Sequence, residues 1–225
     1  MPTDTARSWE ILSASIPSSA YLVGGTALAI HLQHRISRDL DFFFHDDLDL
    51  DRLADELRDL GPFAVSARGS GTLNGLFSAT RVQFLSAAGQ RRLEPLVIVA
   101  GIPVAGIGDL LAMKLKVIGD RGELRDYFDV MTIEQRTGRS VEEGLGLYLA
   151  RYREPPESFN VAHIVGALGY FDDVDDDDAL PAAKDEIAGY WRRRQPQILR
   201  NIARSSPRPA VIPQPADPLE WPCDG

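Results

Sequence analysis

The sequence has almost no cysteine and no long apolar run. Among its 225 residues the only thiol is that of Cys223, so the chain cannot form an internal disulfide or a thiolate metal cluster. No apolar stretch reaches the roughly 18 to 20 residues that a membrane-spanning helix requires. The first ten residues, MPTDTARSWE, are too polar for a secretion signal. These absences predict a protein of the reducing cytoplasm with no membrane partner.

Positive charge is also scarce. The 33 acidic and 24 basic side chains give a net charge of −9, which at first argues against a nucleic-acid substrate. Six of the acids lie in one run, 172–178, which we interpret as a solvated loop because it lacks the alternation and glycine of a calcium-binding loop. Removing those six charges from −9 leaves −3. The rest of the chain can therefore form local basic surfaces, and the residues that could contribute are Arg35, Arg38, Arg91, Arg92, Lys114, Lys116 and Arg121.

The hydrophobic share of 44% and the charged share of 25% are those of a globular protein. The order of patterns predicts an α/β fold with a core of mixed sheet and flanking helices over residues 1–105. A mainly helical domain, 106–204, and a Pro-rich disordered tail, 205–225, follow. The predicted strands are 21–23, 40–44, 81–85 and 95–100. The predicted helices are 27–32, 49–60, 109–119 and 124–135, and Asp109 is expected to cap the third of them.

A glycine pair follows the first predicted strand. Gly24 and Gly25 are expected to form a tight turn, after which Thr26 caps a helix. Glycines let backbone amides approach a phosphate closely, and a helix N-terminus favours an anion. An ordinary turn explains an isolated glycine pair equally well.

Two aspartates lie two residues apart on the next predicted strand. Asp39 and Asp41 should leave the same face, where they repel each other unless a cation lies between them. Mg²⁺ prefers such oxygen ligands and keeps positions for substrate phosphates. A lone pair of this kind is usually solvated, but the glycine turn thirteen residues upstream favours a metal site.

A second group of charged residues lies further along the chain. Lys114 is set in an apolar stretch, so its ammonium group either reaches solvent or enters an anionic pocket. Arg121 falls near the same face if the helix continues that far. Asp126 and Asp129 are three residues apart on the next helix, where Arg125 and Asp129 could also form an ordinary intrahelical ion pair.

These motifs resemble those of a known family. The segment GGTALAIHLQHRISRDLDFF, 24–43, resembles the first motif of the polymerase-beta-like nucleotidyltransferases and, more narrowly, of the AbiEii-type toxins, which include the MenT-type toxins of mycobacteria. KLKVIGDR, 114–121, is similar to the family motif KLxAxxxR, with Val117 in place of alanine, and RDYFD, 125–129, matches RDxxD. LGYFDD, 168–173, resembles a late segment of the same family.

The resemblance implies a Mg²⁺-dependent enzyme that transfers nucleotides from a nucleoside triphosphate to the 3′ end of tRNA, and a cognate antitoxin that neutralises it. It implies that Asp39 and Asp41 hold the metal and that Lys114 contacts the triphosphate, with Ser37 and Arg121 beside it. Asp126 would either orient Lys114 or act as an acid or base. Ser37 could equally serve only the turn.

One departure concerns the third carboxylate that such enzymes commonly carry on a later strand. The best candidate position here holds Gln83, which leaves the number of metal ions open. Transfer to a protein or small-molecule hydroxyl, and a catalytically silent binding protein, remain alternatives.

Other residues carry weaker signals. His31 and His34 lack a third ligand at suitable spacing, and His45 and His163 are expected to be structural. The segment 190–194, YWRRR, would either touch RNA or pack through Trp191.

Overall fold

A computed structural model describes residues 1–205 and shows a seven-stranded mixed sheet with helices around it. The strands are β1 (Ala20–Val23), β2 (Leu40–Phe44), β3 (Phe63–Gly69), β4 (Thr72–Phe77), β5 (Thr80–Ser86), β6 (Val97–Val99) and β7 (Ile102–Val104). Their order in the sheet is β3-β4-β5-β2-β1-β7-β6. Strand β2 runs antiparallel to β1 and parallel to β5, and β1 runs parallel to β7. The predicted α/β architecture is confirmed.

Eight helices are present in the described residues. They are α1 (Thr3–Leu12), α2 (Gly24–Leu32), α3 (Leu50–Leu60), α4 (Ile107–Arg121), α5 (Leu124–Thr137), α6 (Val141–Tyr152), α7 (Phe159–Ala167) and α8 (Lys184–Ser205). From α4 onwards that part of the chain contains no strand, as the prediction of a mainly helical second part requires.

Burial explains the elements that the sequence predicted well. Along β2 the buried residues Leu40, Phe42 and Phe44 alternate with partly exposed ones. Helix α3 buries its leucine face, and Asp49 caps it by accepting hydrogen bonds from the backbone N–H groups of Asp51 and Arg52, both at 3.0 Å. The buried apolar side chains from Trp9 to Ile198 form one cluster. Because this cluster extends across residue 105, burial does not test the predicted domain boundary there, which remains a prediction.

Two predicted helix caps are wrong. Helix α2 begins at Gly24, directly after β1, and the Thr26 hydroxyl instead donates to the carbonyl oxygen of Asp39 at 2.5 Å. Helix α4 begins after Gly106, so Asp109 lies inside the helix. Its carboxylate accepts hydrogen bonds from the backbone N–H groups of Leu93 and Glu94. Each side chain thus ties its helix to another segment rather than capping its own.

The end of α4 also differs from the prediction. The helix passes Gly119 and ends at Arg121, which keeps Arg121 on the helix that carries Lys114. Helix α5 ends before Gly138, as predicted, and Gly138 adopts a φ of 74°. Helix α1 and strands β3, β4 and β7 are elements that the sequence reasoning missed.

The remaining predictions concern the later part of the chain. Five of the six aspartates in 172–178 are exposed, as expected of a solvated loop. Trp191 is fully buried and its indole N–H donates to the carbonyl oxygen of Tyr127 at 3.2 Å, so it packs within the fold. No helix between residues 1 and 205 is long and apolar enough to cross a membrane. The Pro-rich tail from residue 206 lies outside the described residues.

Candidate active site

The sheet brings the two aspartates to the floor of a cleft. Asp41 on β2 pairs with Val23 on β1 and with Gln83 on β5, and Asp39 lies just before the strand. The cleft is bounded by β1, β2 and β5 on one side and by α4 and the start of α5 on the other. Its lining includes nearly all the predicted site residues: Gly24, Gly25, Ser37, Asp39, Asp41, Lys114, Arg121 and Asp126. Thr26 is buried behind this surface and does not line it.

Both glycines are required by close contacts inside the cleft. Gly24 has a φ of 71°, and a Cβ atom there would lie 2.5 Å from Oδ2 of Asp41. A Cβ atom on Gly25 would lie 2.7 Å from Nη2 of Arg35 and 2.9 Å from Oγ of Ser37. Gly24 and Gly25 also form the start of α2, where no side chain caps the first backbone N–H groups of the helix. This is a cradle for an anion.

Asp41 is held in a state that disfavours its negative charge. Burial, and then repulsion by Asp39, raise the pKa of Asp41 from 3.8 to about 6, although Lys114, Arg125 and Arg81 oppose the rise. A carboxylate in this condition gains most from a cation placed between it and its neighbour. The pair is therefore electrostatically prepared for a divalent metal ion.

Lys114 faces this pair across the cleft and is fixed by two carboxylates. Its Nζ lies 2.6 Å from Oδ1 of Asp126 and 2.8 Å from Oδ2 of Asp129. Burial lowers the pKa of Lys114, but the charges of Asp129 and Asp126 outweigh it and raise the pKa overall. The ammonium group is therefore charged, and the third of its three N–H donors remains for a ligand in the cleft.

Asp129 is the hub of the charged network, and the sequence reasoning gave it no role. It has no solvent exposure and is also contacted by Nε and Nη2 of Arg35, at 2.6 and 2.8 Å, and by Nε2 of His34 at 2.7 Å. Burial opposes ionisation of Asp129, but Lys114, Arg35 and His34 together bring its pKa well below the usual range. The intrahelical pair with Arg125 does not form, since Arg125 contacts Glu123.

Asp126 uses both carboxylate oxygens within the protein. Oδ1 contacts Lys114, and Oδ2 accepts a hydrogen bond from the backbone N–H of Glu123 at 3.0 Å, which completes a capping box at the start of α5. Asp126 is only 4% exposed. Of the two roles that the sequence left open, this geometry favours the orientation of Lys114.

The donor set suits magnesium. Two carboxylates supply hard oxygen ligands and leave coordination positions for phosphate oxygens. Gln83 stands beside Asp41 in the strand register, where a third acid was sought, and it lines the same cleft. In residues 1–205 no group of three or more His, Cys, Asp or Glu side chains is placed to hold a metal ion.

The four histidines form hydrogen bonds outside the metal site: His31 with Ala105, His34 with Asp129, His45 with Tyr21 and His163 with Gly119.

The charges that line the cleft also favour a cation bound together with a triphosphate. Four acidic side chains, Asp39, Asp41, Glu123 and Asp126, and four basic ones, Arg35, Lys114, Arg121 and Arg125, line the cleft. The lining is thus close to neutral when all eight are ionised. A triphosphate carries several negative charges, so a cation accompanying it would complete the balance.

Comparison with known proteins identifies the family. The AbiEii family, described as "Nucleotidyl transferase AbiEii toxin, Type IV TA system", matches residues 11–211. The chain belongs to this family. The family is one of nucleotidyltransferase toxins of toxin–antitoxin systems, as the motifs indicated.

Proteins similar to this AbiEii protein occur in Aquifex aeolicus, Helicobacter pylori and Mycobacterium tuberculosis. "Uncharacterized protein aq_aa25" of Aquifex aeolicus (strain VF5) is 26% identical over 201 residues, which cover 85% of this chain and 94% of that protein. JHP933 of Helicobacter pylori is a similar solved structure, with a TM-score of 0.54 and 17% identity over 91% of this chain and 95% of its own. The toxin MenT4 of Mycobacterium tuberculosis H37Rv is described as a nucleotidyltransferase. Its structure has a TM-score of 0.52 and 18% identity, over 90% of this chain and 83% of its own. These structures share the fold.

Proposed function

We propose that this AbiEii protein transfers a nucleotide from a nucleoside triphosphate to the 3′ hydroxyl of tRNA in the cytoplasm, with Mg²⁺ as cofactor. The modified tRNA would no longer serve translation, growth would stop, and a cognate antitoxin would hold the activity in check. The observation that carries the proposal is the meeting of Asp39, Asp41 and the Gly24–Gly25 cradle with Lys114 in one cleft.

The residues divide into three tasks. The free N–H groups at the start of α2 hold the triphosphate, beside Ser37 and Arg35. Lys114, oriented by Asp126 and Asp129, donates its remaining N–H to a phosphate oxygen. Asp39 and Asp41 would hold Mg²⁺, which neutralises the charge that develops on the phosphates. Arg121 stands at the rim of the cleft, where it is exposed to an incoming substrate.

The reaction itself is a displacement at phosphorus. The acceptor oxygen attacks the α-phosphate and forms a new P–O bond, the bond to the β-phosphate oxygen breaks, pyrophosphate leaves, and the hydroxyl proton is released. Positioning and charge neutralisation account for most of the catalysis in such reactions. Fixed contacts to Lys114 serve that need, because they keep the ammonium group in place before the substrate arrives.

The acceptor is tested with purified protein, Mg²⁺, each α-labelled nucleoside triphosphate in turn, and total tRNA. We expect label on tRNA, and no label when Asp41 is replaced by alanine. Label on the protein, or on a small molecule of an added extract, would move the assignment to the alternative acceptors. Absence of both transfer and triphosphate binding would exclude an enzymatic role and leave the silent binding protein.

A further inference from the structure

Within residues 1–205, one face of the sheet beside the catalytic cleft is left uncovered. Helices α1 and α3 pack on the opposite face of β3, β4 and β5, where Leu73, Phe77 and Phe84 are buried. The side chains that alternate with these residues point to the other face, and they are exposed or half-buried. We call this surface the open sheet face, and its residues are Ala64, Ala67, Asn74, Leu76, Arg81 and Gln83.

The open sheet face continues directly into the candidate active site. The strand pairings place Asp41 on β2, Gln83 on β5, Asn74 on β4 and Ala67 on β3 in one row across the sheet. Gln83 lines the catalytic cleft together with Asp41. Because neighbouring strands lie about 4.8 Å apart, this row extends about 14 Å from Asp41 to Ala67. A ligand lying along the row would therefore end at the two aspartates.

The strands of the open sheet face carry no negative charge. The segment 60–93, which includes β3, β4 and β5, contains no aspartate or glutamate, although the whole chain has 33 acidic residues. Its only charged residues are Arg68, Arg81, Arg91 and Arg92. The three strands thus present no carboxylate to a phosphate backbone, in a chain whose net charge is −9.

Arg81 is the cation of the open sheet face. Its side chain is exposed and forms no ion pair within residues 1–205, whereas Arg68 pairs with Asp51 on α3, behind the sheet. Arg81 lies two residues before Gln83 on the same face of β5, and its positive charge opposes the rise in the pKa of Asp41. An unpaired guanidinium group beside the two aspartates is suited to a phosphate of an incoming strand.

The remaining residues of the face favour RNA over a protein partner. Leu76 is 46% exposed, and in the described part of the chain it is the only large apolar side chain exposed on this face. A protein interface normally has a larger apolar core. The side-chain carbonyl oxygen of Asn74 has no hydrogen-bond partner among residues 1–205. One apolar contact, free amides and a cation are the groups with which proteins bind the ribose, bases and phosphates of a single strand.

We propose that the open sheet face binds the 3′-terminal strand of the acceptor RNA, which lies along the row from Ala67 to Asp41 with one phosphate on Arg81. That the acceptor is RNA rests on the proposed function. In this arrangement the terminal hydroxyl reaches Asp39 and Asp41, and the rest of the strand leaves over the uncharged strands β4 and β3.

The test measures nucleotide transfer over a range of tRNA and salt concentrations, together with the affinity of the protein for labelled tRNA. Arg81→Gln removes the cation. Ala67→Glu places a negative charge at the far end of the row, and Ala67→Gln adds a side chain of the same size without the charge. Arg200→Gln is the matched control, because Arg200 is exposed on α8, which packs on α5, α6 and α7. All three positions are exposed, so the fold should tolerate the changes.

We expect Arg81→Gln to weaken tRNA binding and to reduce the slope of log affinity against log salt by about 0.7, the value for one phosphate contact on a single strand. Ala67→Glu should raise the KM for tRNA about tenfold or more at low salt, and less at high salt, because salt screens the charge. Ala67→Gln should have little effect. The KM for the nucleoside triphosphate should stay the same in every variant, and Arg200→Gln should change nothing.

Two results would overturn this binding site and leave the proposed function standing. One is an unchanged KM and salt slope for tRNA in both Arg81→Gln and Ala67→Glu while transfer to tRNA continues. The other is a raised KM for the nucleoside triphosphate in Arg81→Gln with an unchanged KM for tRNA, which would assign Arg81 to the triphosphate.

Further outcomes separate the two proposals. Binding of tRNA that depends on Arg81 and Ala67, in a protein that transfers no nucleotide, would support the RNA site and overturn the proposed function. Transfer to a protein whose KM rises in Ala67→Glu would overturn both, because the face would then hold a protein acceptor. Absence of both transfer and tRNA binding would likewise overturn both.

Discussion

Burial and the neighbouring charge of Asp39 disfavour the ionised form of Asp41 in the cleft, and this is the electrostatic strain on Asp41. Its pKa, raised from 3.8 to about 6, means that the folded protein binds a proton here more tightly than the unfolded chain does. Stability contributed by this group is therefore lost as the pH rises from about 4 to 6, by up to about 3 kcal/mol. The strain is what a bound cation would relieve.

Replacing Asp41 by asparagine should thus separate stability from activity. At pH 8 and without metal, Asp41→Asn should raise the melting temperature by several degrees, about 2 to 4 °C for each kcal/mol, and it should abolish nucleotide transfer. The gain should disappear only at about pH 3, below the unfolded-state pKa of 3.8, where Asp41 is protonated in both states. Thermal scans across this range measure it, with the exposed Asp46→Asn as control. A lower melting temperature at pH 8 would contradict the assignment of strain to Asp41.

Asp129 has the opposite character. Its pKa lies well below the usual range, because Lys114, Arg35 and His34 surround it, so its contribution to stability is present at neutral pH and is lost on acidification. Asp129→Asn takes the carboxylate partner from Arg35 and one of two carboxylate partners from Lys114, so it should cost about 3 to 5 kcal/mol at pH 7. Asp126→Asn should lower the stability less, since Lys114 keeps its ion pair with Asp129 and Arg35 loses no partner. Denaturant titrations of both variants decide this, and equal losses would refute the role of Asp129 as the hub.

The passage from β1 into α2 determines where the site forms. No turn separates the two elements, and Gly24 alone makes the change of direction with its positive φ. Gly24→Ala should cost about 1 to 3 kcal/mol through backbone strain, and it should also displace the Asp41 carboxylate and reduce transfer. Gly146→Ala on α6, where a Cβ atom meets nothing within 4 Å, is the control and should be neutral or stabilising. Full transfer by Gly24→Ala would show that the close contact is unimportant.

The parallel pairing of β2 with β5 places Gln83 beside Asp41. Gln83→Glu would supply the third carboxylate that is absent from this position. Without metal it should lower the melting temperature, because a third negative charge joins two that already repel. With Mg²⁺ the rise in melting temperature should exceed that of the unchanged protein. Titration with MgCl₂ measures both effects, and Gln135→Glu on an exposed part of α5 is the control. An equal response to Mg²⁺ would place Gln83 outside the metal environment.

The elements that sequence reasoning missed have weak patterns for physical reasons. Helix α1 buries Thr5 and Ser8, which bond to Arg38 and Thr80, so polar residues interrupt its apolar face. Strand β3 is exposed along most of its length, and β7 is three residues long and contains Pro103. By contrast, the alternating β2 and the leucine face of α3 were predicted correctly, because one face of each is buried.

Across the whole molecule, local motifs indicated most of the candidate site residues, and contacts between distant parts of the chain supply the rest of the charged network. The glycine pair and the two aspartates were singled out by their spacing, whereas the roles expected of Lys114 and Asp126 came from the family resemblance. His34 and Arg35 were not, because their partner Asp129 lies 95 and 94 residues away in the sequence.

The stoichiometry of the reaction tests most directly whether this protein transfers nucleotides to tRNA. Pyrophosphate released and nucleotide added to tRNA should be counted in the same reaction, with and without Mg²⁺, for the unchanged protein and for Asp41→Asn and Lys114→Met. We predict one pyrophosphate for each nucleotide added, complete dependence on Mg²⁺, and loss of both products in the two variants. Nucleotide addition that persists in Asp41→Asn, or that proceeds without Mg²⁺, would contradict the account.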